Sequence, residues 1–138
     1  MVYGIGCDLC SIARMEKSLL GSHGAVFARR VFGPAEQAAL RLPLAEEEGT
    51  ARRTAHTVAS AAADFAAKEA FLKAAGTGLR EPFSLCEIEA VRLPGGAPAY
   101  RFSGRSAKWV EARRLRAHLS LSHEDGMAMA YCILETET

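Results

Sequence analysis

Three polar side chains stand where the surrounding pattern calls for apolar ones. Asp8 ends an alternating run on a face otherwise made of small residues. Glu69 lies in register with Val58, Ala62, Phe65 and Leu72, and His123 follows Leu119 and Leu121 on the apolar side of a late alternating run. Two carboxylates that share a site with phosphate oxygens and water are a common way to hold magnesium. Lys73 comes one helical turn after Glu69, and Gly76-Thr77-Gly78 follows it. An ammonium group and the backbone N–H groups of a glycine turn suit phosphate oxygens. No G-x-x-x-x-G-K-[S/T] run occurs, so this turn is not a Walker loop. Each feature also has an ordinary structural use. A strand-end aspartate caps a helix, a core-facing glutamate takes an ion pair, a lone histidine hydrogen-bonds, and glycines end helices.

The elements that must position these groups follow from periodicity. Val2 to Leu9 alternate with period two, which predicts a strand. Gly4 and Gly6 leave one face of it nearly bare, a sign of a close approach by backbone or ligand. Ser11 is placed to cap a short helix over Ile12–Leu20, and a second passes through Val26, Phe27 and Val31. Pro34 opens a third, Ala35–Arg41. A charged connection spans 43–50, with Glu46-Glu47-Glu48 a solvated run. A long alanine-rich helix is expected over Arg52–Ala75, ended by Gly76 or Gly78. Leu85–Leu93 and Ala99–Ser103 read as strands around Pro94-Gly95-Gly96-Ala97-Pro98. A basic helix follows over Ser103–Leu115. His118–Glu124 and Met127–Leu134 flank Asp125-Gly126, the signature of a two-residue hairpin. The order predicts an α+β fold.

Length and composition limit the alternatives. The 138 residues suit one domain, 1–138, without repeats or a linker. A net charge of +1 gives no general field for nucleic acid, so no nucleic-acid partner is expected. No apolar run is long enough for a membrane span, and the opening residues lack a signal peptide's charged and apolar regions, which predicts a cytoplasmic protein with reduced thiols. Cys7 and Cys10 form a C-x-x-C inside a predicted strand with no second pair to complete a zinc site.

Three segments together resemble a known family. Gly4-Ile5-Gly6-Cys7-Asp8-Leu9, with Arg14 downstream, is similar to the opening motif of holo-acyl-carrier-protein synthases, the small 4′-phosphopantetheinyl transferases. Phe65-Ala66-Ala67-Lys68-Glu69-Ala70-Phe71-Leu72-Lys73-Ala74-Ala75-Gly76-Thr77-Gly78 resembles their central motif, the most specific of the three. His118-Leu119-Ser120-Leu121-Ser122-His123-Glu124 resembles the C-terminal one. The motifs occur in family order and cover essentially the whole chain.

The resemblance implies a phosphopantetheinyl transferase fold, with an antiparallel sheet wrapped on a long central helix. It also implies a homotrimer with active sites at subunit interfaces. The expected reaction moves 4′-phosphopantetheine from coenzyme A to a serine of an apo acyl carrier protein and releases adenosine 3′,5′-bisphosphate, in support of fatty acid or polyketide synthesis. By the same resemblance Asp8 and Glu69 match magnesium ligands. Lys73, Gly76, Gly78 and His123 match the region that receives coenzyme A phosphates. Lys68 matches a lysine that helps neutralise the pyrophosphate, and Arg14 a basic residue that meets the acidic carrier. Glu69 or water is left to accept the serine proton. One departure is Asp64, where the family usually carries arginine; it removes a positive charge near the expected site. Cys10 is a second, at a position where polar residues are common. A coenzyme-A-binding domain without catalysis, an acyl transferase acting on the thioester and a purely structural oligomer are the rival readings. The mass gained by an apo carrier, metal dependence and the acid pair discriminate among them.

Overall fold

The structure is a computed structural model and describes residues 1–44 and 51–137, with only the backbone of 51–53. The chain order is β1 (Val2–Ser11), α1 (Ile12–Leu20), α2 (Gly24–Val31), α3 (Pro34–Leu40), α4 (Ala51–Ala75), a 3-10 turn (Leu85–Glu87), β2 (Ile88–Arg92), β3 (Pro98–Phe102), α5 (Gly104–Ala112), β4 (Leu115–Glu124) and β5 (Met127–Thr136). The expected α+β class is what forms. The Glu46–Glu48 run lies outside the described residues.

β1, β5 and β4 make an antiparallel sheet in that order, and β2 pairs with β3 in a second ribbon. α4 lies against both. Its contact with β1 explains the bare face of that strand, because a Cβ on Gly4 or Gly6 would run into the carbonyl oxygen of Ala74 or Ala70. Helix backbone rests on strand backbone there, which only glycine permits. On the same face, Asp8 stands opposite Ala130 of β5, and Ala130 opposite Leu121 of β4.

α4 is wrapped rather than laid on one side. Ala61, Ala62, Ala63, Ala66, Ala67, Ala70, Phe71, Leu72, Ala74 and Ala75 are all buried. The single apolar stripe expected through Val58, Ala62, Phe65, Glu69 and Leu72 is therefore too narrow a description. A helix with neighbours all round is apolar all round, and alanine lets them approach closely. Phe71 anchors its C-terminal half, packing on Phe83 and Phe102 with ring centroids 5.4 and 4.9 Å away. Phe83 in turn meets Trp109 of α5 at 4.9 Å.

Several boundaries differ from expectation. The basic helix ends at Ala112, because Arg114 takes a left-handed φ of 53° and turns the chain into β4. Leu85–Glu87 forms a 3-10 turn before β2. The hairpin forms where expected, with φ of 49° at Asp125 and 75° at Gly126, both positive as a type I′ turn requires. Cys7 and Cys10 are three apart on β1, so they face opposite sides of the sheet; all four cysteines are free thiols. No helix among the described residues is long and apolar enough to cross a membrane.

Candidate active site

The second half of β1 and the C-terminal third of α4 bring two carboxylates and one ammonium group together. Lys73 Nζ donates to Asp8 Oδ1 and to the Cys7 carbonyl, each at 3.0 Å. The hydrogen bond that Lys73 donates to Asp8, and then the Asp8 charge, raise the proton affinity of Lys73, which stays cationic. Its side chain is 55% exposed and that of Asp8 18%, so the pair opens to solvent. Glu69 is half-buried. Burial raises its pKa first and the nearby Asp8 charge raises it further, with Lys73 opposing both. Glu69 has no ion-pair partner among the described residues. Two acids thus sit close enough to repel, and Lys73 bonds to only one of them.

This donor set fits a hard divalent cation. No cluster of three or more His, Cys, Asp or Glu side chains is grouped for a metal among the described residues. What the chain offers is a pair, and magnesium commonly takes one or two carboxylates and completes its shell with water and substrate phosphate. A cation there would also relieve the repulsion that raises the Glu69 pKa.

Other expected residues go elsewhere. Lys68 is a correction, because its ammonium group is wholly buried on another side of α4. Nζ donates to Glu36 Oε1, to the Leu85 carbonyl at 3.1 Å and to the Ile88 carbonyl at 2.6 Å. Those are the three donors a lysine has, so none remains for a pyrophosphate. Glu36 is also fixed by the N–H groups of Gly33 at 3.0 Å and Ala90 at 3.1 Å. The network ties α3, α4 and β2 together. Burial lowers the Lys68 pKa and the Glu36 carboxylate opposes that shift.

The glycine turn is a second correction. Gly76 and Gly78 have φ of 81° and 63°, and their N–H groups donate to the Leu72 carbonyl at 3.1 and 3.4 Å. They close the helix end and leave neither N–H pointing at a ligand. Arg14 is exposed in the first turn of α1, where the backbone N–H donates to Ser11 Oγ at 3.2 Å. It rims a small hollow with Leu9, Cys10, Met15, Phe27 and Phe65. The Cys10 thiol is buried and pushed up in pKa by that burial and by Asp8.

His123 is exposed rather than core-packed. It stands opposite Ala128 beside the Asp125-Gly126 turn of the hairpin, two strands and two residues from Asp8, which is about 12 Å between Cα atoms at ordinary strand spacings. It lines a separate cavity of about 680 Å³ with His56, Ser60, Asp64, Arg92 and Ser122. Asp64 is 4% exposed, and its carboxylate lies 3.4 Å from the Arg92 guanidinium. Burial, and then the Glu36 charge, push its pKa up to about 7 against the pull of Arg92. The positive charge expected to be missing at position 64 is thus supplied from β2. Sequence reasoning missed Arg92 and His56. Arg92 ends a short strand and gives no periodic signal; His56 is an exposed residue early in α4.

Asp64 and Glu69 are five residues apart on a helix, roughly 140° around its axis. The acid pair and the cavity therefore flank α4 on different sides of one copy.

Residues 4–132 match the profile of the 4′-phosphopantetheinyl transferase superfamily. The chain belongs to the 4′-phosphopantetheinyl transferase superfamily. Among curated members of this superfamily it is 38% identical to the holo-[acyl-carrier-protein] synthase of Methylibium petroleiphilum, covering 99% of this chain and 98% of that one. Identity to the Bordetella pertussis enzyme of the same name is 41%, over 97% of this chain and 83% of the other. The fold matches the crystal structure of the Neisseria meningitidis synthase with a TM-score of 0.74 at 30% identity, over 99% of this chain and 100% of that one. It also matches the Bacillus anthracis synthase, solved in complex with CoA (3′,5′-ADP), with a TM-score of 0.73 at 31% identity over 99% of each chain.

Proposed function

We propose that this chain is a holo-acyl-carrier-protein synthase, one transferase domain over 1–138. It moves 4′-phosphopantetheine from coenzyme A to a serine of an apo acyl carrier protein. The observation that carries this reading is the Asp8–Glu69 pair with Lys73 beside it, held by a superfamily fold. The serine hydroxyl attacks the β-phosphorus of coenzyme A, the bond to the leaving oxygen breaks, and adenosine 3′,5′-bisphosphate departs. Such a reaction asks the protein to position the groups and offset charge.

Asp8 and Glu69 would hold a magnesium ion, which when bound supplies positive charge at the diphosphate. Lys73 is fixed by Asp8 and the Cys7 carbonyl with one donor left, and adds charge on the same side. The Asp8 bond also fixes where that ammonium group stands before substrate arrives. Glu69 or a water molecule would accept the serine proton. Arg14, exposed beside the hollow at β1 and α1, meets the acidic surface of the carrier.

The active assembly proposed is a homotrimer. Ile5 (58% exposed), Leu9 (61%), Met129 (42%) and Tyr131 (40%) form an apolar patch on the sheet face turned away from α4. Open apolar faces of this kind mark interfaces. His123 and the Asp8–Glu69 pair lie apart in one copy, and an interface site would bring the His123 cavity of one copy to the acids of the next. The proposed location is the cytoplasm, where coenzyme A and carrier meet.

The test incubates the protein with coenzyme A, magnesium and an apo carrier and weighs the carrier. The expected result is a gain of one phosphopantetheine with release of adenosine 3′,5′-bisphosphate. An unmodified carrier in the presence of bound coenzyme A would leave a binding domain only.

A further inference from the structure

Arg92 ends β2 and lines the cavity of about 680 Å³. One nitrogen lies 3.4 Å from Asp64 Oδ1, and another 3.5 Å from the carbonyl of Val91. Both contacts are at the long limit for hydrogen bonds, so among the described residues most of the five N–H donors of the group remain unengaged. Its side chain is 42% exposed, that of Asp64 6%. The acid lies behind the arginine and fixes its direction without neutralising its outward face. His56, His123, Ser60 and Ser122 belong to the same lining. Asp64 is the sole acid of that lining among the described residues. Ala35, Ala39, Leu40 and Leu121 supply apolar wall, and the volume is that of a small-molecule site.

We propose that Arg92, oriented by Asp64, is a specificity residue that recognises the phosphomonoester of coenzyme A. This rests on the transferase reading above, with the cavity of one copy facing the acid pair of the next. Coenzyme A carries a diphosphate and a single phosphomonoester dianion. A planar arginine fork suits such a dianion through paired N–H donors. The diphosphate goes to the Asp8–Glu69–Lys73 cluster, so the two charged ends of the substrate are read separately. Arg92 is a binding residue for the remote end; Asp64 is a positioning residue acting through it.

The test compares coenzyme A with 3′-dephospho-coenzyme A as donors, scoring carrier modification by mass. Wild type should favour coenzyme A. Arg92→Ala should raise the KM for coenzyme A roughly 10- to 100-fold, the range for a hydrogen bond to a charged group. Its kcat, and its KM for the dephospho donor, should stay unchanged. Arg92→Lys should recover part of the preference, and Asp64→Asn should lower the same ratio by a smaller factor. Calorimetry gives a readout free of turnover: adenosine 3′,5′-bisphosphate should bind wild type more tightly than adenosine 5′-monophosphate, and Arg92→Ala should remove the difference. If Arg92→Ala keeps the wild-type donor preference while transfer proceeds, Arg92 has no such role and the transferase reading survives. If wild type transfers from neither donor, the transferase reading itself falls.

Discussion

Replacing Lys68 by Met separates a structural lysine from a substrate-binding one. The side chains of Lys68 and Glu36 are both 0% exposed. Methionine nearly matches the lysine in length but leaves the Glu36 carboxylate buried without its cation and the Leu85 and Ile88 carbonyls without a donor. Removing one member of a buried ion pair costs about 3–5 kcal/mol. Unfolding entropy near 60 °C is about 2.1 cal/mol/K per residue, or roughly 0.3 kcal/mol/K for 138 residues. The melting temperature should therefore fall by about 10–17 °C. The assay is thermal unfolding of both proteins at one concentration, followed by kinetics well below the lower transition. There the variant should keep kcat/KM for coenzyme A within about threefold, roughly 0.6 kcal/mol. A variant that melts like wild type and loses a hundredfold or more in kcat/KM would show that Lys68 faces the substrate, and would refute the buried network.

Further outcomes are expected. Asp64 has a folded pKa of about 7 against an ordinary 3.8, so the folded state favours its protonated form. The associated stability is complete below pH ~4 and is lost as pH rises through 7, at about 1.4 kcal/mol per unit. Asp64→Asn should gain about 2–3 kcal/mol more at pH 8 than at pH 5, measured by urea unfolding; an equal effect at both pH values would deny the shift. Arg14→Glu should raise the KM for the carrier more than that for coenzyme A, and an unchanged carrier KM would remove Arg14 from the docking surface. Mixing inactive Asp8→Ala with inactive His123→Ala protein, after dissociation and reassembly, should restore part of the activity if sites span two copies. No recovery in hetero-assemblies would place each site within one copy.

The sequence was most legible where backbone geometry demands one residue type. Gly4 and Gly6 beside Asp8 announced close contact with another chain segment, and α4 backbone provides it. Asp125-Gly126 named its turn because both positions need positive φ. Ser11 capped α1 as its side chain allows. The Asp8–Glu69–Lys73 cluster was legible because the motifs carrying it run in family order. Lys68 misled because a motif gives a residue's neighbours in sequence and not its direction. One position before Glu69 on a helix is about 100° around the axis, enough to point the lysine into the core toward Glu36, a partner from α3 that no local spacing could suggest. Gly76 and Gly78 fit either a phosphate turn or a helix end, and only the Leu72 carbonyl decides between them. The Asp64–Arg92 pair joins residues 28 apart, and tertiary pairings of that kind leave no periodic trace.

The most direct measurement is carrier modification by Asp8→Ala, Glu69→Ala and wild type at saturating magnesium, with folding of each checked by circular dichroism. Wild type should label the carrier and stop when a chelator removes the metal, and both variants should be folded and label none. Full labelling by either variant, or undiminished wild-type labelling in chelator, would contradict a divalent ion shared by these two acids.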